Sequence, residues 1–323
     1  MDKCKRAPEE PGRSPEIFSE PVSFSITGKD VMEMRRKGHI YSYFLILPAL
    51  LIFGIFFVAP SIYGVWYSLT DWTIGKDEIS FVGLENYRTI LESDELRLAI
   101  YNTFLYAVVV VIGKNVNGLL LALAVNTKIK FRGYFRVIFF LPCVISTIII
   151  GLVFVPILHP NGILNEFLGA IGLGFLQQKW LVDSHVVMFS IAGVSIWQWS
   201  GYHMVVYLAG LQGIPGDYYE AARIDGATAF QRFRYITFPM LAPAFNINLL
   251  LSLIGGLKVF SEPYALTNGG PGNASQVIAL EVFSKFGRGQ WGLGTALNVV
   301  LAVCVSVIAV PVLYKMRKRE VEE

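Results

Sequence analysis

Six long apolar stretches, separated by polar and turn-forming connections, dominate the hydropathy pattern of this chain. They run over approximately 43–69, 103–125, 135–158, 186–211, 242–260 and 295–314. A helix needs about 20 predominantly apolar residues to cross the hydrocarbon core of a bilayer, so each stretch predicts a membrane-spanning helix. The pattern predicts an all-α polytopic membrane protein with one six-helix transmembrane domain over 41–314. A polar tail at 1–40 precedes it and a short tail at 315–323 follows. Pro8, Glu9, Glu10, Pro11, Gly12, Ser14 and Pro15 read as disordered. So long a polar lead-in argues against a cleaved signal peptide, whose apolar core lies near the start.

Composition agrees: 54% of the 323 residues are hydrophobic and 16% charged, against about 25% charged in soluble domains. Mean hydropathy is +0.53. The net charge of +3 is more informative by its placement than by its size. Nineteen of the 27 Lys and Arg residues fall in the N-terminal tail, the second-to-third connection (Lys128, Lys130, Arg132, Arg136), the fourth-to-fifth connection and the C-terminal tail. Six fall in the opposite connections, and Lys114 and Lys258 lie within spans. Basic residues accumulate on the cytoplasmic side, so both termini and the fourth-to-fifth connection of this multi-pass membrane protein are expected in the cytoplasm. This distribution gives no basis for nucleic-acid binding.

Catalytic signatures are missing from the sequence. No Gly-x-x-x-x-Gly-Lys-Ser/Thr phosphate loop, His-Glu-x-x-His or Gly-x-Ser-x-Gly occurs. His39, His159, His185 and His203 show no metal-ligand spacing, and Cys4, Cys143 and Cys304 are too scattered for a disulfide framework. The chain is therefore expected to be no enzyme and to need no cofactor or metal.

Polar side chains inside spans are expensive and face a cavity or a partner. In the fourth stretch Ser195, Gln198, Trp199 and Tyr202 share one helical face; in the fifth, Asn248, Ser252, Gly255 and Gly256 do the same. Both stripes fall near mid-helix. Two readings stand: amides, hydroxyls and aromatic rings lining a pocket for a hydroxyl-rich cargo, or small and polar residues packing helix on helix. Lys258, at the outer end of its span, either snorkels to the headgroups or meets an anionic cargo. Lys114, beside Asn115 and Asn117, is too deep for snorkelling and is expected to face the bundle interior or a partner. No Asp or Glu lies within a predicted span, which points to a partner chain for its counter-charge.

The segment between the fourth and fifth stretches is unlike the other connections. Gly213-Ile214-Pro215 breaks the preceding helix, Pro215 suits the first position of a new one, and Asp217 favours its positive end. Ala222 and Gly226, four apart, predict a shared small-residue face, and Thr228 with Gln231 predicts a capping box. Glu220, Ala221, Ala222, Asp225, Gly226, Ala227, Phe233, Ile236, Pro239, Leu241 and Pro243 together resemble the EAA loop of bacterial ABC-importer permeases. Phe81-Val82-Gly83-Leu84-Glu85-Asn86-Tyr87, Tyr134-Phe135-Arg136, Phe140-Leu141-Pro142, Asn161-Gly162-Ile163-Leu164-Asn165 and Thr267-Asn268-Gly269-Gly270-Pro271-Gly272 extend the resemblance. It covers about Arg35 to Lys318 and is to the carbohydrate branch, similar to the larger subunit of the maltose-type importer.

That resemblance implies a permease subunit of a binding-protein-dependent importer. Its expected partners are two ATPase subunits docking at Glu220, Ala221, Ala222, Asp225, Gly226 and Ala227, a second permease, and an extracellular or periplasmic solute-binding protein. The expected cargo is a di- or oligosaccharide, met by Gln198, Trp199, Tyr202, Asn248, Ser252, Gly256 and Lys258. Tyr202 and Ser252 fall on cargo-contacting positions of the maltose-type permease, whereas Gly256 and Val259 replace asparagines of that site. The alternatives are a non-sugar or anionic cargo, such as a glycerol phosphate or an acidic oligosaccharide, and a secondary transporter working without ATP. The latter predicts inverted repeats or ionisable relays, which the sequence lacks.

Overall fold

The computed structural model describes residues 46–76, 78–127 and 130–321, with side chains as far as Met316. The expected tail at 1–40 and Lys128 lie outside the described residues. The chain divides into two units, 1–59 and 60–323. The first apolar stretch forms α1 (Leu47–Tyr67), which carries a π-turn at Gly54–Val58.

The rest of the described chain is also helical. Its elements are α2 (Glu85–Glu92), α3 (Asp94–Asn126), α4 (Arg132–Val144), α5 (Thr147–Ile157), α6 (Ile163–Ala170) and α7 (Val187–Gln212). There follow α8 (Gly216–Ile224), α9 (Ala229–Met240), α10 (Ala242–Leu257), α11 (Ser261–Thr267), α12 (Ile278–Gly287) and α13 (Trp291–Val321). Among the described residues the sole strand-like pairing is an isolated bridge between Thr70 and Phe81.

Three helices, α1, α3 and α13, are long and apolar enough to cross a membrane, and two bent pairs raise the number to as many as five. The six-fold count expected from hydropathy is therefore not reproduced by length and composition alone. The fourth stretch does form one helix, α7, of 26 residues. It falls outside the apolar set because Ser195, Gln198, Ser200 and His203 interrupt it, and all four are buried. A helix enclosed by its neighbours does not have to be apolar towards lipid.

The third stretch departs from expectation more sharply. It is two helices, α4 and α5, bent by 96°. Ile145 is extended at the break, and Pro142 cannot donate a backbone bond to the last turn of α4. The fifth stretch is likewise the second half of a bent pair: α9 meets α10 at 66°, with Pro239 and Pro243 flanking the corner.

The core is built on α3 and α7, the most extensive helix pair, with α10 packed on both. Ser93 caps α3 by accepting from Leu96 N–H, and Asp94 and Glu95 in the first turn complement its dipole. Tyr106, Val110, Ile191 and Val194 belong to one buried cluster, Ala122, Met204, Tyr207 and Leu241 to a second, and Ile90, Leu96, Ala296 and Leu297 to a third. Gly256 shows why α10 lies so close to α3: a methyl group there would sit 2.9 Å from Ala107 Cα, inside van der Waals contact. Small residues that let backbones approach are the ordinary glue of membrane helices.

Candidate functional site

The connection between α7 and α10 is a compact, capped unit. α7 stops at Gly213, and Pro215 occupies the N-cap of α8, one residue before the first helical position expected for it. Asp217 lies in the first turn and Arg223 in the last, each at the favourable end of the dipole. Asp225 ends the helix and Gly226 turns the chain with φ +76°. Ala227 N–H then reaches Ala222 O at 2.8 Å and Gly226 N–H reaches Arg223 O at 3.1 Å, the two bonds of a Schellman ending.

This corrects the expected shared face. Gly226 lies beyond the helix in the left-handed region, so it does not stack on Ala222; its role is to close α8. The capping box forms as expected, with Thr228 and Gln231 each bonding the other's backbone N–H. Arg232 ties the turn to α9 through Ala227 O at 2.7 Å, and Tyr219 joins α8 to Thr237 at 3.0 Å. Glu220, Ala221, Asp225 and Gly226 are exposed, whereas Ala222 and Ala227 are half-buried. Ile224, Phe230 and Tyr235 are also exposed, at 86%, 74% and 73%. These three apolar side chains escaped the motif reading, although three large hydrophobics in a polar connection are themselves a sign of a docking surface.

Among the described residues the members of the two polar stripes bond to different partners. Gln198 donates from Nε2 to Ile145 O at 3.1 Å and Thr147 Oγ1 at 3.2 Å, so it satisfies the carbonyl freed where α4 breaks from α5. Asn248 bonds the His203 carbonyl through Nδ2 at 3.2 Å and faces its ring through Oδ1 at 2.9 Å. An amide oxygen only accepts, so His203 carries its proton on Nδ1. Ser252 accepts from Asn115 Nδ2 at 2.9 Å, and Tyr207 donates to Asn115 Oδ1 at 2.7 Å. Asn248, Ser252 and Gly256 thus hold α10 against α3 and α7, and the packing reading describes them in this conformation.

Trp199, Tyr202 and Lys258 behave differently. Trp199 is half-buried and packs edge-on to Tyr202 at 6.4 Å, while Tyr202 and Lys258 are exposed. Lys114 is buried, with Nζ 5.9 Å from the Trp199 ring centroid, a cation–π separation. Among the described residues no carboxylate lies within ion-pair distance of Lys114, but one acts on it from further off. Glu262, in α11 just beyond the fifth stretch, acts electrostatically on Lys114 and on the buried Tyr106, and accepts from Ser195 Oγ at 2.9 Å. Hydropathy placed Glu262 outside the spans and so concealed it; only the fold of α11 brings the carboxylate inward.

Among the described residues no group of three or more His, Cys, Asp and Glu side chains converges in a metal-binding arrangement.

Residues 114–322 match the family described as "Binding-protein-dependent transport system inner membrane component". The chain belongs to this family. The permease is 38% identical to a probable ABC transporter permease protein, YurN, of Bacillus subtilis (strain 168), over 84% of this chain and 94% of the relative. It is 36% identical to AmyD, a probable starch degradation products transport system permease protein of Thermoanaerobacterium thermosulfurigenes, over 88% of this chain and 97% of that one. A crystal structure of a bacterial alginate ABC transporter, in complex with an alginate pentasaccharide-bound periplasmic protein, contains a similar chain. The TM-score is 0.74 at 25% identity, covering 89% of this chain and 96% of the other. The permease is a membrane-embedded subunit of a binding-protein-dependent importer, and ATP hydrolysis belongs to a partner subunit.

Proposed function

We propose that this permease carries a di- or oligosaccharide across the bacterial plasma membrane, beside a second, homologous permease. Two ATPase subunits drive it and an external solute-binding protein delivers the cargo. In this reading the chain crosses the membrane six times with both termini in the cytoplasm. The observation that carries it is the α8–α9 unit: a short helix, closed at its C-terminal end by a Schellman turn that leads into a capping box, exposing Glu220, Ala221 and Ile224. It joins directly to α7 and α10, the two helices that carry the polar network. A load applied to α8 reaches both through Tyr219 and Arg232 rather than dissipating in a loose loop. Similarity to a permease named for starch degradation products supports a saccharide cargo.

Cargo contact falls first to Trp199 and Tyr202, the stripe members left accessible. Asn248 and Ser252 join them when α10 moves relative to α3 and α7, exchanging helix-to-helix bonds for bonds to sugar hydroxyls, while Gln198 stays with the α4–α5 break. The test is uptake of labelled maltotriose by the reconstituted complex in proteoliposomes, with and without ATP inside. ATP-dependent uptake abolished by Glu220→Ala, with the permease still in the bilayer, is the expected result. Uptake that persists without the ATPase subunits would establish the secondary-transporter alternative instead.

A further inference from the structure

A groove opens at the outer ends of α10 and α13, apart from the stripes. Here α10, α12 and α13 border an open, mostly apolar groove of about 440 Å³, with Phe260, Phe283 and Phe286 in its wall and Lys258 and Asn298 as its polar members, within the roughly 300–1,000 Å³ typical of small-molecule sites. We propose that this groove is an outer cargo subsite that receives a carboxylate-bearing saccharide unit, resting on the importer reading above and naming part of its cargo.

Three observations carry it. Lys258 is exposed and forms no ion pair among the described residues. The groove therefore holds an uncompensated positive charge. Next, its aromatic wall is already assembled. Phe260 stacks on Tyr264 at 5.2 Å with 15° between planes, and Phe283 stands edge-on to both, at 5.4 and 6.0 Å. Tyr264, Phe283 and Phe286 remain 39%, 56% and 40% exposed, which leaves ring faces free for the apolar C–H face of a pyranose. Finally, Asn298 is the sole side-chain amide of α13 and points into the same groove. A polar group within an apolar span marks a pathway or a partner rather than lipid.

A cation, an amide and aromatic platforms around one space match the three faces of a uronate residue: carboxylate, hydroxyls and C–H surface. An acyl chain would use the rings and leave Lys258 and Asn298 without a function.

The experiment compares tritiated trigalacturonate with tritiated maltotriose in the full reconstituted complex, for the wild type and for Lys258→Met, Lys258→Arg and Phe283→Ala. The expected result is a rise of at least ten-fold in KM for trigalacturonate in Lys258→Met, restored by Lys258→Arg, with maltotriose uptake changed less than two-fold. Phe283→Ala raises KM for trigalacturonate as well. Equal kinetics for wild type and Lys258→Met on trigalacturonate overturns the subsite and leaves the importer reading intact, as does transport of maltotriose alone. An effect of Lys258→Met that vanishes in purely zwitterionic liposomes assigns the groove to lipid headgroups and also overturns it. Failure to carry either sugar removes the saccharide reading and the subsite with it.

Discussion

Ser195, in the middle of α7, donates its hydroxyl to Glu262 across 2.9 Å, joining the core helix to a short helix that lies 67 residues further along the chain. Glu262 also acts electrostatically on Lys114 of α3, from beyond ion-pair distance. One carboxylate thus bonds α7 and bears on a buried cation of α3 within an apolar bundle, where an unmatched charge is far costlier than in water. The Ser195–Glu262 bond fixes α11 against α7 in this conformation.

The Lys114–Glu262 relationship predicts strong non-additivity. Glu262→Gln removes the carboxylate that acts on Lys114, and Lys114→Met removes the buried cation. The double variant removes both charges. Interacting residues of this kind couple by about 0.5–3 kcal/mol, so the double variant is expected to unfold at a higher temperature than the more damaged single variant. Thermal unfolding of the four proteins in one detergent measures this directly. Simple addition of the two losses would show that the charges do not interact.

Gln198 is expected to act on stability before it acts on cargo. Its amide serves Ile145 O and Thr147 Oγ1 at the α4–α5 break, and an unsatisfied buried polar group costs about 1–3 kcal/mol. Gln198→Leu should therefore lower the unfolding temperature while changing KM for maltotriose less than three-fold. A normal unfolding temperature with a large rise in KM would return Gln198 to the cargo pocket.

Much of this was legible in the chain. The apolar stretches locate the helices α3, α7, α10 and α13, because burial in lipid imposes length and composition directly. The capping box at Thr228 and the break at Gly213 were readable because caps are local chemistry. The 96° bend after Val144 was not: Pro142 permits a break, but whether one forms depends on Gln198, 56 residues away in the sequence, meeting the freed carbonyl. The two readings of Asn248 and Ser252 were equally open in the sequence, since the same amide can bond a sugar or a neighbouring helix. Only the placement of Asn115, His203 and Tyr207 decides which partner it has in this conformation.

Outside the membrane, Glu281 on α12 gives a pH dependence. Burial raises its carboxyl above the ordinary 4.5, with Lys285 opposing and Glu95 reinforcing the rise; Lys285 is 3.7 Å away. A raised carboxyl binds its proton more tightly in the folded chain than in the unfolded one. Its stabilisation is therefore complete below 4.5 and is lost as pH climbs through the folded value. Unfolding temperature should fall as pH rises above that point, and Glu281→Gln should flatten this part of the profile. An unchanged slope in Glu281→Gln would assign the dependence to another group.

Gly226 offers a test that separates turn geometry from close packing. With φ at +76° and nothing within 4 Å of an added methyl group, substitution strains the backbone without creating a clash inside the chain. The left-handed conformation costs an ordinary L-residue about 1–2 kcal/mol, while Asn tolerates it best. Loss of the Schellman bonds then frays the last turn of α8 and weakens its grip on α9, leaving the membrane helices untouched. Gly226→Val is expected to uncouple the complex, with ATP hydrolysis retained and sugar moved per ATP reduced at least ten-fold, while Gly226→Asn stays within three-fold of wild type. Equal uncoupling by Asn and Val would mean that the partner ATPase, rather than the turn, requires a glycine there. Membrane yield of each variant, measured alongside, distinguishes both outcomes from simple loss of the protein.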